Sequence, residues 1–182
     1  MHAIQLYRQV MDGEAAFECN FYDNQLAPSN LVVRKVFAAM LSSVQERLNR
    51  LEVEYHDRMI ADKLGVRAGE VLRFLGASGE SLRENKSGDT LVSRSFEAEL
   101  TEERYRFFHE LNDLSKLMHY RLKEDERDRV VFYFSQYLLL QLPVEEESMF
   151  YEQLQKAQLP YKVIPIHSLS KPNSPQDKSG PS

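Results

Sequence analysis

Residues 130–142 read VVFYFSQYLLLQL, and their reading decides the fold class. The run is apolar on nearly every side, interrupted by Ser135 and Gln136, and Pro143 follows at once. That pattern predicts a central core helix, stopped by a residue that has no N–H to continue the ladder. The run is too short to cross a bilayer, which takes roughly 20 apolar residues.

The neighbouring residues extend this helical reading. Upstream, KEDERDR (123–129) is polar all round and reads as a solvated helical stretch or a connection between two helices. Before it, Thr101 can cap a helix whose first turn carries Glu102 and Glu103, acids that suit the positive end of a helix dipole. Phe107, Leu111, Leu114 and Met118 mark its buried stripe. Downstream, a last helix over about 144–157 opens on Glu145, Glu146 and Glu147. Residues 101–160 are thus expected to form a helical bundle. Residues 161–169 read as extended. Residues 171–182 carry Pro, Ser and Gly with nothing apolar to bury, which predicts disorder.

The N-terminal half continues the pattern. In residues 1–28, Ile4, Leu6, Tyr7, Val10 and Met11 fit one short amphipathic helix, and 16–22 fits a short strand or an arm. Pro28-Ser29-Asn30 breaks the chain and offers an N-cap. A long helix is then expected over 31–55. Phe37, Leu41, Val44, Leu48, Leu51 and Tyr55 lie alternately four and three apart, an a/d seam that fits either intramolecular packing or a homodimer. The expected fold is mainly α. It has an N-terminal segment (1–28), a long helix with a helical pair and a small hairpin (29–100), the bundle (101–160) and a tail (161–182).

Composition narrows the function. Hydrophobic residues at 42% and charged residues at 28% are ordinary for a globular domain. Seven glycines are few for this length, which argues against a strand-and-turn architecture and against a Gly-rich phosphate loop. The single cysteine, Cys19, has no partner for an intramolecular disulfide, and no signal peptide is visible, so a reducing cytoplasm is expected. The net charge of −5 gives no global attraction to nucleic acid. His109 and His119 point about 80° apart on a helix and do not pair as ligands. There is no zinc-type spacing, so neither metal nor cofactor is expected.

Residues 59–75, MIADKLGVRAGEVLRFL, carry the most specific local signal. Ala61 is small where a second helix would cross, Leu64 and Val66 flank a turn and point inward, and Gly65 supplies a positive φ. Val71 and Phe74 give an inner face. The spacing resembles helix-turn-helix DNA-binding modules, over this stretch alone. The resemblance implies a second helix in the major groove, with Arg67, Gly69, Glu70 and Arg73 outward, and Lys63, Arg83, Lys86 and Arg94 adding backbone contacts. Lys86 and Arg94 would lie on a wing formed by the hairpin of 81–84 and 90–96. Against it, the six basic residues between Ile60 and Leu100 (Lys63, Arg67, Arg73, Arg83, Lys86, Arg94) meet seven acidic ones (Asp62, Glu70, Glu80, Glu84, Asp89, Glu97, Glu99).

Other patterns are weaker. Arg104 and His109 resemble the Arg-x4–6-His motif of HEPN ribonucleases, but Tyr105 stands where that motif carries a polar residue. A surface arginine and a half-buried histidine explain the pair. The acidic runs at 124–128 and 145–147 read as solvated faces or as a docking surface for a basic partner. The expectation is a non-enzymatic, dimeric DNA-binding regulator of transcription or replication. The alternative is a helical adaptor or inhibitor that docks on another protein, with no membrane partner.

Overall fold

The computed structural model describes residues 2–166. The order of elements is β1 (Ile4–Met11), β2 (Glu14–Asn20), α1 (Phe21–Asn24), α2 (Leu31–Val44), β3 (Arg50–Tyr55), α3 (Asp57–Leu64) and α4 (Ala68–Leu75). There follow β4 (Arg83–Ser87), β5 (Thr90–Glu99), α5 (Glu102–His109), β6 (His119–Glu124), β7 (Arg127–Tyr133), β8 (Tyr137–Pro143), α6 (Glu147–Lys156) and β9 (Tyr161–Pro165). The strands form one nine-stranded sheet in the order β4-β5-β3-β6-β7-β8-β2-β1-β9. It is antiparallel except where β9 runs parallel to β1.

This corrects the mainly α, all-helical expectation: the protein is a mixed α/β fold. Residues 130–142 are not a helix. They are β7 and β8 joined by a tight turn, in which Phe134 and Ser135 take φ of 42° and 58° and the Gln136 N–H donates to the Tyr133 carbonyl at 2.8 Å. Both faces of this hairpin carry apolar residues, so its period of two is hidden and the run resembles a buried helix. The polar run at 123–129 is the end of β6, a turn with Asp125 at φ 52°, and the start of β7.

The long helix stops at Val44, and residues 50–55 are a strand. Leu51 and Tyr55 are four apart, a spacing that fits one face of a helix and one face of a strand equally well. The N-terminal residues 4–11 are a strand closed by an Asp12-Gly13 turn with φ of 52° and 77°. All four expected segments lend strands to the single sheet. Residues 167–182, which include the tail expected to be disordered, lie outside the described residues.

One face of the sheet is covered. Residues opposite one another on paired antiparallel strands share a face. Val53 stands opposite Phe96 on β5 and Tyr120 on β6, and Phe132 stands opposite Tyr120 and Leu138. These rings meet Phe37 of α2 and Phe108 of α5: Tyr120 lies 6.0 Å from Phe37, 5.1 Å from Phe108 and 5.0 Å from Phe132. At the other end Phe17 meets Phe150 of α6 at 5.1 Å. Helix α2 packs on α6 and α5, and Ile60, Leu72 and Leu75 bring α3 and α4 into the same core. Among the described residues the opposite face of the sheet carries no such layer.

Candidate docking surface on the open sheet face

The residues expected to act do not converge. Of the expected dimer seam, Phe37, Leu41, Val44, Leu51 and Tyr55 are buried in the core and Leu48 packs against it. Only Phe37, Leu41 and Val44 share a helix, and that helix faces its own sheet. The seam is therefore internal packing and offers no dimer surface.

The helix-turn-helix reading fares similarly. The two short helices are present, and Gly65 has φ 62°. Yet Ala61 is exposed where the helices should cross, and Val66 stands fully in solvent. Lys63 donates to Ser115 at 3.0 Å, while Arg67, Glu70 and Arg73 are exposed. On the hairpin, Lys86 pairs with Glu84 at 3.3 Å, and Arg94 donates to Asp57 at 3.0 Å and Glu84 at 2.8 Å. Glu84 is held below its ordinary value by the Arg94 hydrogen bond first and then by Lys86. Two cations of the expected wing are thus committed to carboxylates, and DNA-binding and regulatory roles find no support in this arrangement.

Arg104 donates to the carbonyls of Phe74 at 2.9 Å and Glu99 at 2.7 Å. It sits at the end of α4, where a Cβ on Gly76 (φ 111°) would overlap Ala98. His109 lies instead beside Ser42 Oγ at 3.4 Å, so the pair does not form one site. Cys19 is fully buried, and burial pushes its thiol up to about 12. Among the described residues no group of three His, Cys, Asp or Glu is placed to hold a metal ion.

The open sheet face has two halves. Strands β5, β3 and β6 form an ionic half. Lys123 is 5% exposed, with Glu52, Glu97 and Glu126 at 3.5, 3.8 and 3.7 Å. Arg50 pairs with Glu97 at 2.8 Å. His119, also buried, lies 3.3 Å from Glu54, whose other oxygen accepts the Ser93 hydroxyl at 2.7 Å. The Arg121 Nε–H donates to His119 Nε2 at 3.4 Å, and Phe134 covers the ring at a centroid distance of 4.4 Å. A neutral imidazole protonated on Nδ1 satisfies both contacts. Burial lowers the His119 pKa, against the opposing pull of Glu54.

A second ionic lattice closes the sheet's end near the turn between β6 and β7. Arg129, 2% exposed, donates to Glu14 at 2.8 Å and Glu124 at 2.9 Å. Arg47 donates to Glu146 at 2.6 Å and holds that carboxyl below its ordinary value. Glu14, Arg47, Glu124 and Arg129 line a polar cavity of about 650 Å³ together with Asp125, Glu126 and Arg127, so that four carboxylates face three guanidinium groups there.

Strands β8, β2 and β1 form the apolar half. Its floor is Tyr7, Gln9 and Met11 of β1, Ala16 and Glu18 of β2, and Tyr137, Leu139 and Gln141 of β8. Asp12, Arg127 and Ile166 stand at its edges, and the groove encloses about 480 Å³. Tyr7 donates to Asp23 at 2.8 Å, and Tyr137 stacks on Tyr133 at 4.8 Å. Reading the sequence alone missed these residues. The available signal was the Asp-Gly turn after residue 11, which fixes β1 and β2 as a hairpin and sets Tyr7, Gln9 and Met11 on one face.

No protein-family model, curated protein or solved structure matches the chain. Among the described residues no helix is long and apolar enough to cross a membrane.

Proposed function

We propose that this is a non-catalytic binding protein that docks on a partner protein through the apolar half of its open sheet face. One observation carries the reading: a sheet face that no described element covers, on which Tyr7, Met11, Ala16, Tyr137 and Leu139 line one groove. Apolar surface gathered in a concavity and rimmed by polar groups is the common form of a recognition site. The charge supports a polypeptide over nucleic acid, because the chain is net negative and the groove includes Asp12, Glu14 and Glu18. A reducing cytoplasm suits the lone buried thiol of Cys19.

The test compares affinity capture from the source cell by the wild type and by Leu139→Arg, with the fold of both checked by circular dichroism. A protein retained by the wild type and lost from the variant is the expected result. Equal retention by both, or retention of nucleic acid alone, would overturn the reading.

A further inference from the structure

The groove on β1, β2 and β8 has a direction and a charge. Its floor positions recur at every second residue along each strand, roughly 6.6 Å apart at 3.3 Å per residue. Side chains on one face of an extended chain repeat at the same distance. Three adjacent strands at about 4.8 Å spacing make a floor about 10 Å wide, which suits one extended segment.

The charges in the groove are unequally matched. Glu14 is held by Arg127 and Arg129. Glu18 meets only the Asn20 amide, at 3.4 Å, and Asp12 in the turn between β1 and β2 has no cation partner among the described residues. Among the described residues the groove is therefore left with two uncompensated carboxylates beside Met11, Ala16 and Leu139. A second copy of this chain, at net −5, would bring more negative charge to that place, and so would a nucleic acid.

Resting on the docking reading above, we infer that the occupant of this groove is a short extended segment of a partner protein, with apolar side chains at alternate positions and at least one lysine or arginine. The apolar side chains seat against Leu139 and Met11. The cation lies over Glu18, the residue directly across the strand pair from Leu139.

A random dodecapeptide display library, selected on the immobilised full-length protein and then screened against Leu139→Arg, tests this. In that variant the new guanidinium faces Glu18 and removes apolar wall and free charge together. The expected selectants bind the wild type, fail on Leu139→Arg, alternate apolar and polar residues, and are enriched in Lys and Arg. A synthetic selectant is expected to lose about fivefold in affinity with Glu18→Gln, the size of an exposed charge pair. It is expected to lose more with Leu139→Ser, whose melting temperature stays within a few degrees of the wild type's. Groove-dependent selectants that lack basic residues, that space apolar residues three and four apart, or that bind Glu18→Gln undiminished would overturn this inference and leave the docking surface standing. Selectants that bind Leu139→Arg as well as the wild type would overturn the docking surface itself.

Discussion

The two halves of the open sheet face solve exposure differently. On β5, β3 and β6 every strand offers charge, and the charges close on one another: Lys123 among three carboxylates, Arg50 on Glu97, His119 between Glu54 and Arg121. On β8, β2 and β1 the same face offers Tyr137, Leu139, Ala16, Tyr7 and Met11, and nothing in the described chain covers them. A face whose charges are already paired, with the buried Arg50 Nε–H left without an acceptor among the described residues, has little free energy to gain from a partner, because each pair must be desolvated again. An open apolar groove gains from every area of contact. The first half therefore serves the fold, and the second is the surface a partner can use.

Mutations can break that contrast. The largest expected effect lies at the ionic end of the sheet, where Arg129→Ala leaves Glu14 with Arg127 alone and Glu124 with Arg47 alone. Losing one partner of a buried pair costs roughly 3–5 kcal/mol. Glu14 and Glu124 keep 26% and 30% exposure, which lets water return, so about 2 kcal/mol is expected, read from urea denaturation.

The next effect is on pH dependence. Burial favours neutral His119 in the fold, so its folded pKa lies below the ordinary 6.5. Above pH 6.5 both states are neutral and the histidine contributes no penalty. As pH falls below 6.5 the unfolded chain takes up a proton that the fold resists, and stability declines until the folded pKa is passed. Melting curves of His119→Gln are expected to show a shallower loss over that window than those of the wild type. The same slope in both proteins would remove His119 from the account.

The smallest effect on stability belongs to the apolar half. Leu139→Ser is expected to change unfolding free energy by less than about 1 kcal/mol, because the side chain is only partly buried. Docking should nonetheless be lost. Thiol labelling sharpens the same point from the covered face: Cys19 is expected to resist a thiol reagent in native protein and to react only when the whole sheet opens.

Some of this architecture was legible in the sequence. Asn30 accepts from the Val32 N–H and Thr101 from the Arg104 N–H, so the capping signals at α2 and α5 meant what they said. The short helix at 147–156 and the hairpin before Glu99 also follow from local rules. Residues 130–142 were not legible, for a physical reason that leads back to the groove. Val131, Tyr133, Tyr137 and Leu139 are apolar on the open face, so the strands lack the polar alternation that marks a half-buried sheet. The turn between them uses Phe134 and Ser135 at positive φ, where glycine or asparagine would have signalled it. The candidate site was hidden with the fold, because the residues that disguise β7 and β8 as a helix include those that line the docking surface.

The most direct test of the two-halves account places a photo-crosslinking phenylalanine analogue at Leu139 or at Ser95, one on each half of the open face, in protein expressed in its source cell. The account predicts adducts to another protein from position 139 and none from position 95. Adducts from position 95 alone, from both positions equally, or between two copies of this chain would contradict it.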